Sequence, residues 1–279
     1  MIPSPTDGPI PLREFGPTGL KFTPIGLGTA LMEANPASAV ESLRRGIEEG
    51  ANHIDTAEMY AEGAVEEIVG RALHGLREKV FVVSKVQPFN ADHRGVIFSC
   101  EQSLKRLNVE ILDVYLLHWR GKKAPLEETF RAFERLKSDG KIRHWGVSNF
   151  GLKDMEEAVQ LVGDGVIACN QVVYHLEKRI IEPEILPFCR KHKVPVVAYS
   201  PLGEGRIPKS PILDSVAQSH GATPAQVCLA FLTRDPAVFA IPKASDLRHV
   251  RENVRSMRLS LAEDEIRRID ATFPIRKKS

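Results

Sequence analysis

From residue 25 onward the chain alternates short, β-branched apolar runs with longer amphipathic stretches, and this alternation restricts the fold more than any other feature. The runs at 25–29, 52–57, 80–85, 112–118, 142–149, 165–171, 194–200 and 238–244 give eight strand candidates. Their spacing of roughly 30 residues is that of a strand, a crossover helix and two loops. Strands apolar on both faces belong to a parallel sheet covered by helices. The intervening segments carry helix punctuation. Asn35-Pro36 opens a helix whose Val40, Leu43 and Ile47 share a face, and Gly50 ends it. Thr223 with Gln226, and Ser260 with Glu263, each fit the capping box, in which a hydroxyl and a carboxylate or amide exchange bonds with backbone N–H groups.

Arg13 to Phe22 reads as a hairpin around Gly16-Pro17-Thr18-Gly19, outside the repeat. Eight βα units fit either an open doubly wound sheet or a closed barrel. The dinucleotide fingerprint is missing after the first strand, because Leu31 stands where its third glycine belongs. With no linker stretch anywhere, the expectation is a single α/β domain over 1–279, a (β/α)8 TIM barrel with an N-terminal β-hairpin and a C-terminal extra helix. At 279 residues the length suits one such barrel.

Charge narrows the partners. The 38 basic and 36 acidic residues, spread along the whole chain, create no field for nucleic acid or an anionic membrane. Cys100, Cys169, Cys189 and Cys228 lie far apart and without histidine clusters, so they read as buried reduced thiols and no metal site is expected. No apolar run approaches the roughly 18 to 20 residues that span a bilayer, and the proline-rich start, Met1 to Pro11, lacks a signal peptide's apolar core. The expected compartment is the cytoplasm, and a monomer is the default.

In a barrel the chemistry sits at the C-terminal ends of the strands. Three consecutive strands place polar groups there: Asp55, with Tyr60 shortly after it, then Lys85, then His118. Singly, each has a structural explanation, since a strand-end charge pairs with a neighbour and a histidine is hydrogen-bonded. Together they form a proton-transfer system. A buried Lys85 beside Tyr60 should lower the phenol below its ordinary value of about 10, Asp55 should hold the lysine, and His118 should orient a carbonyl oxygen. Protonating a carbonyl oxygen while something adds at carbon suggests hydride transfer from a bound nicotinamide.

The remaining strand ends offer a site for that cofactor. Ser148 and Asn149 follow the fifth strand, Gln171 the sixth, and Tyr199, Ser200 and Leu202 the seventh. Amides suit a carboxamide and a tyrosine ring can stack on a nicotinamide. After the eighth strand comes a helix start at Asp246 to His249, whose free N–H groups would favour a phosphate, with Lys243 and Arg248 adding charge there. Arg251, Arg255 and Arg258 read as a solvated helix face.

These residues resemble the aldo-keto reductase family, and in particular its short-loop bacterial members that reduce small aldehydes and α-dicarbonyls. Gly50 to Tyr60 is similar to the second-strand motif, Gly140 to Phe150 to the fifth, and Ile241-Pro242-Lys243 to the eighth, in the same order over nearly the whole chain. The resemblance implies a barrel closed at its bottom by the hairpin, with NADPH across the top. It implies Tyr60 as general acid, Lys85 and Asp55 as its tuning pair, and His118 as the orienting group. It also implies Ser148, Asn149 and Gln171 on the carboxamide, Tyr199 on the nicotinamide, Gly28, Thr29 and Asp55 near its ribose, and Glu252 and Asn253 at the adenine. Members that strongly prefer NADPH carry Ser or Thr after the eighth-strand lysine and Arg six residues beyond it. Here those positions are Ala244 and His249, with Ser245 and Arg248 one place away, so NADPH with weaker discrimination against NADH is expected. The short loop at 120–124 implies an open pocket for small aldehydes and α-dicarbonyls, walled by Trp119 and Met32.

Two other readings stand beside this one. Lys85 at a strand end also suits a Schiff-base lyase or aldolase, although an adjacent carboxylate opposes the deprotonated amine such chemistry needs. A nicotinamide-binding regulatory subunit without catalysis would keep the same fold.

Overall fold

The first and last strands of the repeat meet, and that contact decides between the two architectures. In the computed structural model, which describes residues 10–122 and 124–275, the chain opens with an antiparallel hairpin of β1 (Arg13–Glu14) and β2 (Lys21–Phe22). The first nine residues of the proline-rich start lie outside the described residues. Eight parallel strands follow: β3 (Leu27–Gly28), β4 (His53–Asp55), β5 (Phe81–Val86), β6 (Leu112–Leu117), β7 (Ile142–Ser148), β8 (Asn170–Val173), β9 (Val196–Tyr199) and β10 (Val238–Ala240). Each pairs with its sequence neighbour, without the reversal in strand order that a doubly wound sheet shows. Ile25 bridges Ala240 in parallel, the Ala240 N–H donates to the Pro24 carbonyl at 2.9 Å, and the Gly28 N–H donates to that of Pro242 at 3.1 Å, so the ring closes.

Helices α1 (Pro36–Glu48), α2 (Ala64–Leu73), α3 (His93–Leu107), α4 (Leu126–Ser138), α5 (Leu152–Val162) and α6 (Ile185–Lys191) follow β3 to β8 in turn. After β9 come α7 (Pro211–Ser219) and α8 (Pro224–Leu232), after β10 comes α9 (Leu247–Arg255), and α10 (Glu263–Thr272) is the extra C-terminal helix. The caps explain two of these starts. The Asn35 side chain accepts the Ser38 N–H at 3.2 Å, and Thr223 and Gln226 exchange bonds of 3.4 and 3.0 Å. The second capping box does not form at Ser260. Helix α10 starts two residues later than expected, because Glu265 accepts the Ala262 N–H at 2.8 Å and is held there by His220, which caps the end of α7, at 2.9 Å.

The sixth barrel strand is also displaced, from 165–171 to Asn170–Val173. Ile167 and Ala168 are buried before the strand proper begins, and the run already bonds to β7 there, the Ala168 N–H donating to the Trp145 carbonyl at 2.8 Å.

The hairpin fills one end of the barrel. Phe15 and Phe22 stack at 4.1 Å, and Phe22 stacks in turn on His53 at 4.6 Å and on Phe81 at 4.9 Å, the first residues of β4 and β5. Burial pushes His53 down to about 3 and leaves it neutral. Gly26 makes room for it: a Cβ there would stand 2.1 Å from the His53 ring. With the N-terminal end plugged, the strands' C-terminal ends form the open rim.

Candidate active site

Four side chains expected to act together do meet at this rim. Lys85, fully buried on β5, donates to Asp55 Oδ1 at the end of β4 at 2.5 Å and to the Thr56 carbonyl at 2.7 Å. The other Asp55 oxygen accepts Gln171 Nε2 at 2.7 Å. The Lys85 ammonium lies 5.3 Å from the centre of the half-buried Tyr60 ring, whose edge faces His118 at 5.8 Å between centroids. Trp119 stacks flat on His118 at 4.0 Å. Thr56 was not singled out by the sequence, because it contributes a main-chain carbonyl that any residue could supply.

Burial and charge compete at each group. Burial alone would lower Lys85, but Asp55 and Tyr60 outweigh it and raise its pKa, so the lysine stays an ammonium. Burial pushes the Asp55 carboxyl up against the pull of Lys85 and Gln171. For Tyr60 the expected lowering is overturned: burial raises the phenol by more than the Lys85 charge pulls it down. Burial and the Lys85 charge push His118 down to about 2, so its imidazole is neutral. Its Nδ1 is buried without a partner among the described residues, which leaves Nε2 for a ligand. A carbonyl oxygen held between Tyr60 and Nε2 would meet a proton donor on one side and a neutral orienting group on the other.

Strained backbone marks the same rim. Ala61 and Glu62 after β4, Asn149 after β7 and Ser200 after β9 all have left-handed φ, between 46° and 61°. Such conformations cost of order 1–3 kcal/mol each and persist only where the surroundings enforce them.

The cofactor candidates form a track leading away from the four. The Ser148 hydroxyl donates to the Gln171 carbonyl at 2.9 Å, Asn149 Nδ2 donates to the His118 carbonyl at 3.0 Å, and Tyr199 Oη donates to Asn149 Oδ1 at 2.8 Å. Ser200 and Leu202 follow them, both half-buried. Thr29 Oγ1 donates to the Asp55 carbonyl at 2.9 Å. Gly28 has a packing reason of its own, since a Cβ there would stand 2.4 Å from the Ile241 carbonyl where the barrel closes. Gly28, Met32, Ser42, Ala244 and Asn253 line one crevice. Met32 is buried there, whereas Trp119 stays partly exposed beside His118.

At the far end Lys243, Arg248 and His249 are exposed, with Arg248 Nη2 3.3 Å from His249 Nε2 and Glu252 3.9 Å from the Arg248 guanidinium. Two of the helix N–H groups expected to be free there are not. Asp246 Oδ1 accepts those of Arg248 and His249 at 2.8 and 3.2 Å, capping α9 with a carboxylate. The Ser245 carbonyl accepts Ser38 Oγ at 3.1 Å and Ser42 Oγ at 2.8 Å, a tie to α1 that no sequence signal announced. Arg251 and Arg255 are not merely solvated, because both pair with Glu49, which caps the end of α1, at 2.9 and 3.2 Å. Uncharged amides and an aromatic ring beside the four, with exposed cations at the other end, suit a ligand with a carboxamide head and an anionic tail. A nicotinamide dinucleotide has that chemistry.

Comparison with known proteins agrees with this geometry. Residues 24–273 match the model of the aldo/keto reductase family. Methylglyoxal reductase YeaE of Escherichia coli (strain K12) is 46% identical over 261 residues, covering 91% of this chain and 92% of the relative. Glyoxal reductase of Bacillus subtilis (strain 168) is 34% identical over 258 residues, covering 91% and 90%. Among solved structures, an aldo/keto reductase from Klebsiella pneumoniae in complex with NADP and acetate superposes with a TM-score of 0.89 at 43% identity, over 95% of this chain and 96% of that one.

Proposed function

The chain belongs to the aldo/keto reductase family and is an NADPH-dependent carbonyl reductase, and from that premise we propose how its residues divide the work. Tyr60 is the general acid, Lys85 and Asp55 hold and polarise it, and His118 orients the substrate carbonyl. The observation that carries this assignment is the buried Lys85 ammonium, locked to Asp55 at 2.5 Å with its charge beside the Tyr60 ring. When bound, the nicotinamide supplies a hydride to the carbonyl carbon. The protein does the rest. Burial keeps the proton on Tyr60 until the carbonyl oxygen becomes basic enough to take it, and the neighbouring ammonium then stabilises the phenolate left behind. Neutral His118 contributes a hydrogen bond without competing for the proton.

Ser148, Asn149 and Gln171 hold the carboxamide and Tyr199 stacks on the ring. Gly28 and Thr29 lie by the ribose, Ser200 and Leu202 by the diphosphate, and Glu252 and Asn253 by the adenine. Lys243, Ser245 and Arg248 face the 2′-phosphate, and with Ala244 and His249 beside them NADPH is preferred less strictly over NADH, which serves as a second cofactor. Small aldehydes and α-dicarbonyls such as methylglyoxal are the substrates. The short segment after β6, the apolar and exposed Met59, Phe89 and Trp119, and the names of the two relatives support this. The proposed chemistry needs no residue beyond those named, so a monomer suffices for it. Among the described residues no helix is long and apolar enough to cross a membrane. A Schiff-base role for Lys85 is disfavoured by the carboxylate that keeps it protonated.

Replacing the acid tests the assignment. Tyr60→Phe should lower turnover of methylglyoxal by about 10²-fold or more while NADPH still quenches tryptophan fluorescence at the wild-type concentration. Near-normal turnover would remove Tyr60 from the acid's role.

A further inference from the structure

Tyr60 stands on a segment with little regular structure to hold it. Downstream, the chain passes through three consecutive left-handed residues, Ala61, Glu62 and Gly63, before α2 begins. That end is bolted down by Glu66, fully buried, which accepts Ser84 Oγ of β5 at 2.5 Å and Arg106 Nε of α3 at 2.7 Å. Upstream, β4 ends at Asp55, yet the segment keeps the ladder to β5 for a few residues more. The Thr56 N–H donates to the Val83 carbonyl at 2.9 Å and the Glu58 N–H to that of Lys85 at 3.3 Å. In a parallel ladder the carbonyl of residue 58 would next receive the N–H of Gln87. It does not, because the chain turns away there toward Tyr60. The Glu58 side chain takes over instead: its Oε1 accepts the Gln87 N–H at 2.7 Å and Asn90 Nδ2 at 3.2 Å, and the same Nδ2 donates to Ser99 Oγ of α3 at 2.9 Å.

We propose that Glu58 is a positioning residue for the proton donor, its buried carboxylate replacing a main-chain carbonyl in the ladder one step past Lys85 so that the Tyr60 segment keeps its register on the lysine. The inference rests on the reading of Tyr60 as the acid. A carboxyl oxygen at the end of a three-bond side chain is what lets the backbone leave the sheet at Met59 while the sheet's hydrogen bond survives. Both contacts fall on a single oxygen, so what matters is an acceptor at that reach, not the charge.

That distinction sets the experiment, steady-state kinetics with methylglyoxal and NADPH beside NADPH titration by fluorescence. Glu58→Ala should lower kcat by about 10-fold or more, as a displacement of the order of 1 Å costs an acid in position, with NADPH affinity within about twofold of wild type. Glu58→Gln keeps the acceptor and should restore kcat to within about threefold. Glu58→Asp keeps the charge but shortens the reach, and should fall with the alanine; it also serves if the alanine variant does not fold. In a Tyr60→Phe background, Glu58→Ala should cost less than about twofold, because the group it positions is already gone. Wild-type kcat in both the alanine and aspartate variants would overturn the proposal. So would an undiminished effect of Glu58→Ala in the Tyr60→Phe background, or a loss of NADPH affinity as large as the loss of kcat. Failure of the acid assignment itself would show separately, as normal turnover in Tyr60→Phe alone.

Discussion

The two ends of the ligand track are built on opposite plans. At the proton-transfer end, Asp55 and Lys85 are both buried, each Asp55 oxygen has a donor, and their separation is 2.5 Å. At the phosphate end Lys243, Arg248 and His249 stand in solvent, and two of the helix N–H groups beneath them are spent on Asp246. The roles proposed for the two ends account for the difference. Stabilising a charge that exists only briefly requires dipoles already fixed in a dry site, where electrostatics are strong. Holding a permanently charged ligand requires only attraction, which exposed flexible cations provide more weakly and with less selectivity.

The dry end should therefore be costly to disturb. Lys85→Met leaves Asp55 buried without its countercharge, and breaking a buried pair in this way costs about 3–5 kcal/mol. The expected result is a fall in unfolding free energy of that size in urea, accompanied by loss of turnover. A loss under about 1 kcal/mol would mean that water reaches Asp55 and that the two ends differ less than their burial implies.

The wet end should be open to improvement. His249→Arg introduces a permanent, bidentate cation beside Arg248, and a hydrogen bond to a charged group is worth about 1.5–3 kcal/mol. NADPH should then bind about 10-fold tighter or better, with NADH affinity unchanged, in the same fluorescence titration. An equal gain for both cofactors would show that position 249 meets the diphosphate they share, and that the 2′-phosphate lies elsewhere.

The same contrast explains what could be read from the sequence. Asp55, Lys85 and His118 were legible because each directly ends an apolar run, and strand direction then brings all three to one rim. Tyr60 follows through its short distance from Asp55, but the left-handed turn that presents it has no compositional signature, since Ala61 and Glu62 are ordinary helix formers. The direction of its pKa escapes the sequence for a related reason: one named neighbour is visible in a sequence, whereas the burial that outweighs it belongs to the whole barrel. The phosphate end failed differently. Asp246 was visible as a helix start, but a capping carboxylate and a phosphate compete for the same N–H groups, and only coordinates show the carboxylate in place. Glu58 and Ser42 were silent because each acts on a main-chain atom of a distant segment.

Ser42 supplies the finest test of the separation between the ends. It is buried on α1 and donates to the Ser245 carbonyl at 2.8 Å, steadying the loop that carries Lys243 and leads into α9 and Arg248, while Ser38 donates to the same carbonyl at 3.1 Å. Ser42→Ala removes one of two donors, so the carbonyl is not orphaned and the loss lies at the low end of the roughly 0.5–1.5 kcal/mol that a neutral hydrogen bond contributes. NADPH should bind about two- to fivefold more weakly and kcat at saturation should not move, because among the described residues the side-chain hydrogen bonds at Asp55 and Lys85 join them to each other and to Thr29, Thr56 and Gln171, and not to this loop. A fall in kcat matching the fall in affinity would mean that the phosphate loop and the acid share one mechanical unit, through β3 and its contact with Ile241 where the barrel closes, and the two plans would then be one.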